Sequence, residues 1–148
     1  MRVDLHVHTQ YSIDSRIAPK ALLKVARLKG LHGIAVTDHN TIRGGQDAKS
    51  HSQQDFPVII GSEIKTTMCE IIGLFLHENI DSTDPYVVLD AIRDQNGISV
   101  LPHPYRYFQT PFPHEFLSLI DVIKGYNSRT QHRRNQQAVD LALRMKKP

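Results

Sequence analysis

Apolar and polar positions alternate over residues 2–7, the period of a strand that buries one face. His6 and His8 then share a face, and Leu5 and Val7 take the opposite one, directed at whatever packs behind the strand. After a polar loop, Pro19 stands where a helix can begin, and Ala21, Leu22, Val25, Ala26 and Leu28 predict its apolar face, with Gly30 ending it. Residues 33–37 form a short apolar strand that ends at Asp38-His39-Asn40. A polar, helix-compatible segment over 44–52 leads to a third strand at 58–61, which runs into Ser62-Glu63-Ile64. Residues 71–76 read as another strand. Asp84 caps a helix over about 85–95, with Val88, Leu89 and Ile92 facing in. A strand at 98–101, a loop rich in proline and aromatics at 105–113, a short helix at 114–119 and a strand at 121–124 follow. The last helix spans about 130–147 and carries Ala138, Leu141, Ala142 and Met145 at helical spacing. Strand and helix alternate along the chain, which predicts an α/β fold with a mostly parallel sheet and right-handed crossovers.

Bulk properties narrow the class without naming a function. The 148 residues suit one domain, and 40% hydrophobic with 22% charged residues is enough for an ordinary soluble core. No basic-then-apolar leader and no apolar run approaching ~18 residues is present, so neither a signal peptide nor a membrane span is expected. A single cysteine, Cys69, excludes an internal disulfide framework and fits a reducing, cytoplasmic setting. The net charge of +3 is compatible with an anionic substrate, although several of the positive residues gather near the C-terminus. No reading helix, zinc finger or aromatic platform points to sequence-specific nucleic-acid binding.

Candidate chemistry concentrates at the strand ends. Two histidines on one strand face either hold a metal or line a solvent-facing edge, and their spacing alone leaves both open. His39, Glu63 and His103 follow three further strands, and Asp14 lies in the first loop. In parallel α/β folds the C-terminal edge of the sheet is where sites form. Four strand ends that each deliver a metal-capable side chain favour the metal reading. Mixed imidazole and carboxylate donors suit Zn²⁺, Mn²⁺ or Fe²⁺ better than Mg²⁺. Cys69 is expected to be a strand-edge or buried residue rather than a nucleophile. His32, His51, His77, His114 and His132 lie outside these motifs and are expected on the surface.

Four segments, Asp4-Leu5-His6-Val7-His8-Thr9, Thr37-Asp38-His39-Asn40, Gly61-Ser62-Glu63-Ile64 and Leu101-Pro102-His103-Pro104, resemble in order and spacing the signature of the polymerase-and-histidinol-phosphatase (PHP) superfamily. The resemblance covers nearly the whole chain and is strongest to small stand-alone phosphoesterases. It implies a distorted (β/α)7 barrel, TIM-like, with a two- or three-metal cluster at its C-terminal mouth. Carried over by position, His6 and His8 hold one metal, Glu63 bridges to a second that His103 ligates, and Asp14 and His39 hold a third. Glu70 stands where many relatives have a histidine and is a further candidate ligand. Asp38 is expected to orient a neighbouring imidazole. The resemblance also implies a later strand with an Asp-x-His motif, and none occurs after residue 103. Residues 1–148 are therefore expected to be a single, C-terminally truncated domain that lacks its closing β/α unit and leaves an open sheet edge, through which a homo-oligomer can form.

The activity this implies is hydrolysis of a phosphomonoester or nucleotide-type phosphoester, with His6, His8, Glu63 and His103 at the reacting centre. Two or three cations would bring a bound water towards neutral pKa and clamp the phosphoryl oxygens. Arg106 and Arg129 are expected beside the mouth, where a guanidinium fork can hold phosphate. The substrate is expected to be a small sugar-like, amino-alcohol or nucleotide phosphate. Two other readings stand beside this one: a non-catalytic metal-binding module, because the last ligand motif is absent, and a metal-dependent amidohydrolase, because His-x-His also serves that chemistry. Tyr105, Tyr107, Phe108 and Phe112 supply either an apolar wall for a substrate ring or packing against the next helix.

Overall fold

In the computed structural model, which describes residues 1–106 and 111–148, six strands lie in chain order across one curled, open half-barrel sheet. They are β1 (Val3–Val7), β2 (Gly33–Val36), β3 (Val58–Lys65), β4 (Glu70–Leu74), β5 (Ile98–Leu101) and β6 (Val122–Ile123). The helices are α1 (Pro19–Leu28), α2 (Arg43–His51), α3 (Pro85–Asp94), α4 (His114–Leu119) and α5 (His132–Met145). The aromatic candidates Tyr107 and Phe108 fall outside the described residues. Among the described residues, no helix is long and apolar enough to cross a membrane.

The sheet is more mixed than the alternation of elements predicts. β1–β2, β2–β3 and β5–β6 are parallel, but β4 runs antiparallel to both β3 and β5. The reason is local. A parallel return needs a crossover of roughly a dozen residues, and the chain between β3 and β4 is only Thr66-Thr67-Met68-Cys69. This segment closes as a tight turn, with the Thr66 hydroxyl donating to the Cys69 carbonyl at 2.6 Å and accepting from the Met68 and Cys69 amides.

The amphipathic pattern on α1 is displaced from its sequence-based reading. Pro19, Leu22, Leu23 and Ala26 are buried, an i, i+3, i+4, i+7 stripe, whereas Ala21, Val25 and Leu28 are exposed. Leu5 is likewise 46% exposed rather than packed inward. Among the described residues β1 pairs with β2 alone, so its outer edge is open and can accept another strand. Elsewhere the predicted faces hold. Val88, Leu89 and Ile92 of α3 are buried with Ile64, Ile71, Leu101, Phe116 and Ile120, and a second cluster joins α1 to β2 and β3 through Ile34, Val36, Phe56 and Val58. Phe112 packs against the first of these clusters, and its ring stacks on Phe116.

Helix α2 comes unusually close to the end of the sheet because it begins with two buried glycines. A Cβ on Gly44 would overlap the Asp38 carboxylate and the Thr9 hydroxyl. Gly44→Ala gains about 1 kcal/mol of helix propensity but forces apart a packed site at a cost of about 1–3 kcal/mol. A net loss of stability is therefore expected, read as a lower urea midpoint with unchanged slope.

Candidate metal centre

Each candidate ligand is placed by backbone pairing. Val7 sits beside Val36 in the β1–β2 register, so His6 in β1 and His8 just past it flank the exit of β2. The chain leaving β2 continues alongside β3: the Glu63 amide donates to the Asp38 carbonyl at 3.1 Å and the Asn40 amide to the Glu63 carbonyl at 3.0 Å. This bridge sets His39 next to Glu63. His103 follows β5, whose neighbour β4 begins at Glu70.

Four imidazoles converge on one carboxylate. Glu63 Oε2 lies 3.2 Å from His6 Nε2, 3.0 Å from His8 Nε2 and 3.5 Å from His39 Nδ1, while Oε1 lies 3.0 Å from His103 Nε2. Two sets of donor atoms close enough to share an ion result, His6–Glu63–His103 and His8–His39–Glu63, with Glu63 common to both. His6 Nε2 and His8 Nε2 are themselves 3.1 Å apart. If both nitrogens carry protons to bond Glu63, those protons face each other. A divalent cation removes the conflict, since donor atoms about 2.0–2.1 Å from a tetrahedral zinc stand about 3.3 Å from one another. The donor set therefore fits one or more divalent ions.

Asp14 and Glu70 occupy the periphery. Asp14 Oδ1 is 2.9 Å from His8 Nδ1, the ring nitrogen that does not face Glu63, and Oδ2 is 3.9 Å from His39 Nε2. Glu70 reaches His103 Nε2 at 3.5 Å and His39 Nδ1 at 4.0 Å. Orienting an imidazole, the part expected of Asp38, is played here by Asp14. Asp38 is fully buried, and among the described residues its carboxylate bonds no histidine ring: it accepts from the Thr9 amide, the Thr9 hydroxyl and the Ser12 hydroxyl at 2.6–2.8 Å. Ser12 in turn accepts from the His39 amide at 2.8 Å. Arg106 and Arg129 both line the cavity of about 660 Å³ that opens over the cluster. The five histidines outside the motifs are exposed.

Lys124 was missed by the sequence reading. It directly follows β6, lines the same cavity, and places Nζ 3.2 Å from His6 Nδ1. The signal was available in principle, since it is the polar residue at a strand end, but a lone lysine there reads as a solvated charge.

The electrostatics follow from burial. Desolvation alone would raise the Glu63 carboxyl, but hydrogen bonds from His103, His6 and His8 reverse this and hold it far below the usual carboxylate range. Burial lowers His6 despite Glu63, with Lys124 and His8 adding to the fall. For His8, burial is outweighed by Glu63 and Asp14, and its pKa rises. Burial also lowers Lys124, against the pull of Asp4 and Glu63.

Because the folded-state pKa of Glu63 is depressed, the stability it contributes is present above its unfolded value, near 4.5, and is lost as pH falls below it. The urea midpoint of metal-free protein should fall between pH 6 and pH 3, and fall less in Glu63→Gln. Cys69 is 4% exposed, and burial pushes its thiol up to about 12. It should resist a disulfide-exchange reagent at pH 8 until the protein is unfolded.

Comparison with known proteins bears on the whole chain. The model of the PHP domain matches residues 4–142. Uncharacterized protein MJ1587 of Methanocaldococcus jannaschii is 45% identical over 117 residues, covering 71% of this chain and 68% of the relative. Uncharacterized protein MJ0417 of the same organism is 36% identical over 138 residues, covering 87% of this chain. The chain spans only 54% of that second relative's length. Among solved structures, a protein of Bifidobacterium adolescentis provisionally assigned as a metal-dependent phosphoesterase superposes with a TM-score of 0.80 at 16% identity, covering 99% of this chain and 85% of its own. An amidohydrolase of Chromobacterium violaceum, solved with sulfate and no metal, superposes with a TM-score of 0.75 at 14% identity, covering 99% and 84%. The chain belongs to the PHP-domain family.

Proposed function

We propose that this PHP-domain chain is a metal-dependent phosphoesterase acting on a small phosphomonoester. The observation that carries the reading is a buried carboxylate, Glu63, shared by two histidine sets at the floor of an open cavity edged with cationic side chains. His6, His8, His39, Glu63 and His103 are the residues we assign to hold two divalent ions, with Asp14 and Glu70 supporting or adding a third. Zn²⁺, Mn²⁺ and Fe²⁺ match this imidazole-rich set. Bound there, such ions supply the positive charge that polarises a phosphoryl oxygen and acidifies a water.

The protein's own groups do the rest. Glu63 keeps its negative charge at any working pH, which lets it serve both sets at once. Asp14 fixes the ring of His8 from its outer nitrogen. Arg106 and Arg129 border the opening, where a guanidinium can bond two phosphoryl oxygens together. No protein nucleophile is required. Cys69, buried and protonated, does not supply one. The volume of about 660 Å³ suits a sugar-like, amino-alcohol or nucleotide phosphate. The single buried thiol is in keeping with a cytoplasmic protein.

Purified protein loaded with Mn²⁺ or Zn²⁺ should hydrolyse a chromogenic phosphomonoester. His8→Ala should abolish this, and Asp14→Asn should cost about 10–100-fold in metal affinity or rate. Equal turnover by His8→Ala and the parent would refute the assignment.

A further inference from the structure

Lys124 is a half-buried cation lining the cavity, and the reading above leaves it without a task. Its backbone is fixed, since the Lys124 amide donates to the Leu101 carbonyl at 3.0 Å, in line with the β5–β6 register. Asp4 and Glu63 attract its ammonium and Arg106 repels it, yet no carboxylate pairs with it in an ion pair among the described residues. Its recorded partner is His6 Nδ1 at 3.2 Å.

That contact conflicts with metal binding at His6. An ammonium has donors only, so His6 Nδ1 must accept and the ring proton must sit on Nε2. Nε2 is the nitrogen that faces Glu63. If Nε2 is given to a cation, the proton moves to Nδ1 and meets Lys124 donor to donor. Lys124 must then leave His6, and the side open to it is the cavity that both residues line. Three residues along the same wall, Asn127 is nine-tenths buried, and its amide Nδ2 has no hydrogen-bond partner among the described residues. The wall therefore carries one donor without an acceptor, Asn127 Nδ2, and Lys124 becomes a second once it gives up His6, beside a site that would hold metal.

We propose that Lys124, supported by Asn127, binds the phosphoryl oxyanion of the substrate, moving from His6 Nδ1 to the phosphate once His6 holds a metal. The proposal rests on the metallophosphoesterase reading for its choice of oxyanion. It makes Lys124 a specificity-determining residue: a substrate without an anionic tetrahedral group gains nothing from it.

The test measures binding of inorganic phosphate by calorimetry to Mn²⁺-loaded wild type, Lys124→Met, Lys124→Arg and Asn127→Asp, with metal content assayed on the same samples. Lys124→Met should keep its full metal content and bind phosphate about tenfold or more weakly, the loss expected for one charged hydrogen bond. Lys124→Arg should stay within about threefold of wild type, and Asn127→Asp should weaken phosphate without loss of metal. Unchanged phosphate affinity in metal-loaded Lys124→Met overturns the proposal, as does loss of metal with phosphate affinity retained. If wild type itself takes up no metal, the metallophosphoesterase reading fails separately. The titration is then made on metal-free protein, where an equal Lys124→Met overturns the phosphate role, and a weaker one keeps that role but overturns the metal-triggered move from His6. Should Lys124→Met not fold, Lys124→Gln takes its place.

Discussion

The structure is built around a buried negative charge. Glu63 is 1% exposed and lies in the middle of β3, where an isolated carboxylate would cost several kcal/mol to desolvate. It is tolerable because imidazoles from β1, from the loops after β2 and β5, and from the segment just past β1 close on its two oxygens. Those histidines come from positions 6 to 103, so satisfying one carboxylate fixes the relative placement of four strand ends. The same convergence that neutralises Glu63 also brings together donor atoms able to hold one or more divalent ions. Stability and site geometry are therefore not separable here, because removing the carboxylate leaves four imidazoles crowded without a common acceptor.

Much of this was legible in sequence because it follows from short-range rules. The period of 2 put His6 and His8 on one face, and the apolar runs ending before Asp38 and Pro102 located two other strand ends, whereas β3 runs on through Glu63 to Lys65. What escaped depended on distant contacts. The stripe on α1 was read one step out because Val25 and Leu28 are as apolar as Leu22 and Leu23, and only the packing partner decides which pair is covered. Leu5 looked like a core residue because alternation says which side a residue faces but not whether anything lies there. The strands read at 58–61 and 71–76 already stood too close for a parallel crossover, yet the consequence for the sheet was not drawn, and the four-residue turn emerged only with the true bounds of β3 and β4. Lys124 and the outer-nitrogen contact of Asp14 rest on side-chain geometry across the cavity, which no local pattern encodes.

Asp38 shows how such a site is held before any ion arrives. Its carboxylate takes three donors from the Thr9–Ser12 turn, just after His8, and its carbonyl takes the Glu63 amide and the Ser62 hydroxyl. Ser12 closes the circuit by accepting from the His39 amide. One residue thus ties the exits of β1 and β2 to the strand that carries Glu63. Gly44 in the first turn of α2 belongs to the same arrangement, since only a residue without a Cβ lets the helix seat against Asp38, while Gly45 lets it approach Ile60 of β3. Ligands mounted on strand ends and braced in this way start close to their working positions, which reduces the ordering that a bound ion must impose. The motif Thr37-Asp38-His39-Asn40 then has a physical division of labour. His39 faces the cluster, Asn40 adopts a φ of +53° so that its amide and side chain can bond β3, and Asp38 turns away to bind the backbone that presents them both. A carboxylate next to a candidate ligand in sequence need not be a candidate itself. Here it is the neighbour's orientation, set by alternation along the strand exit, that sends one side chain into the cavity and the other into the frame.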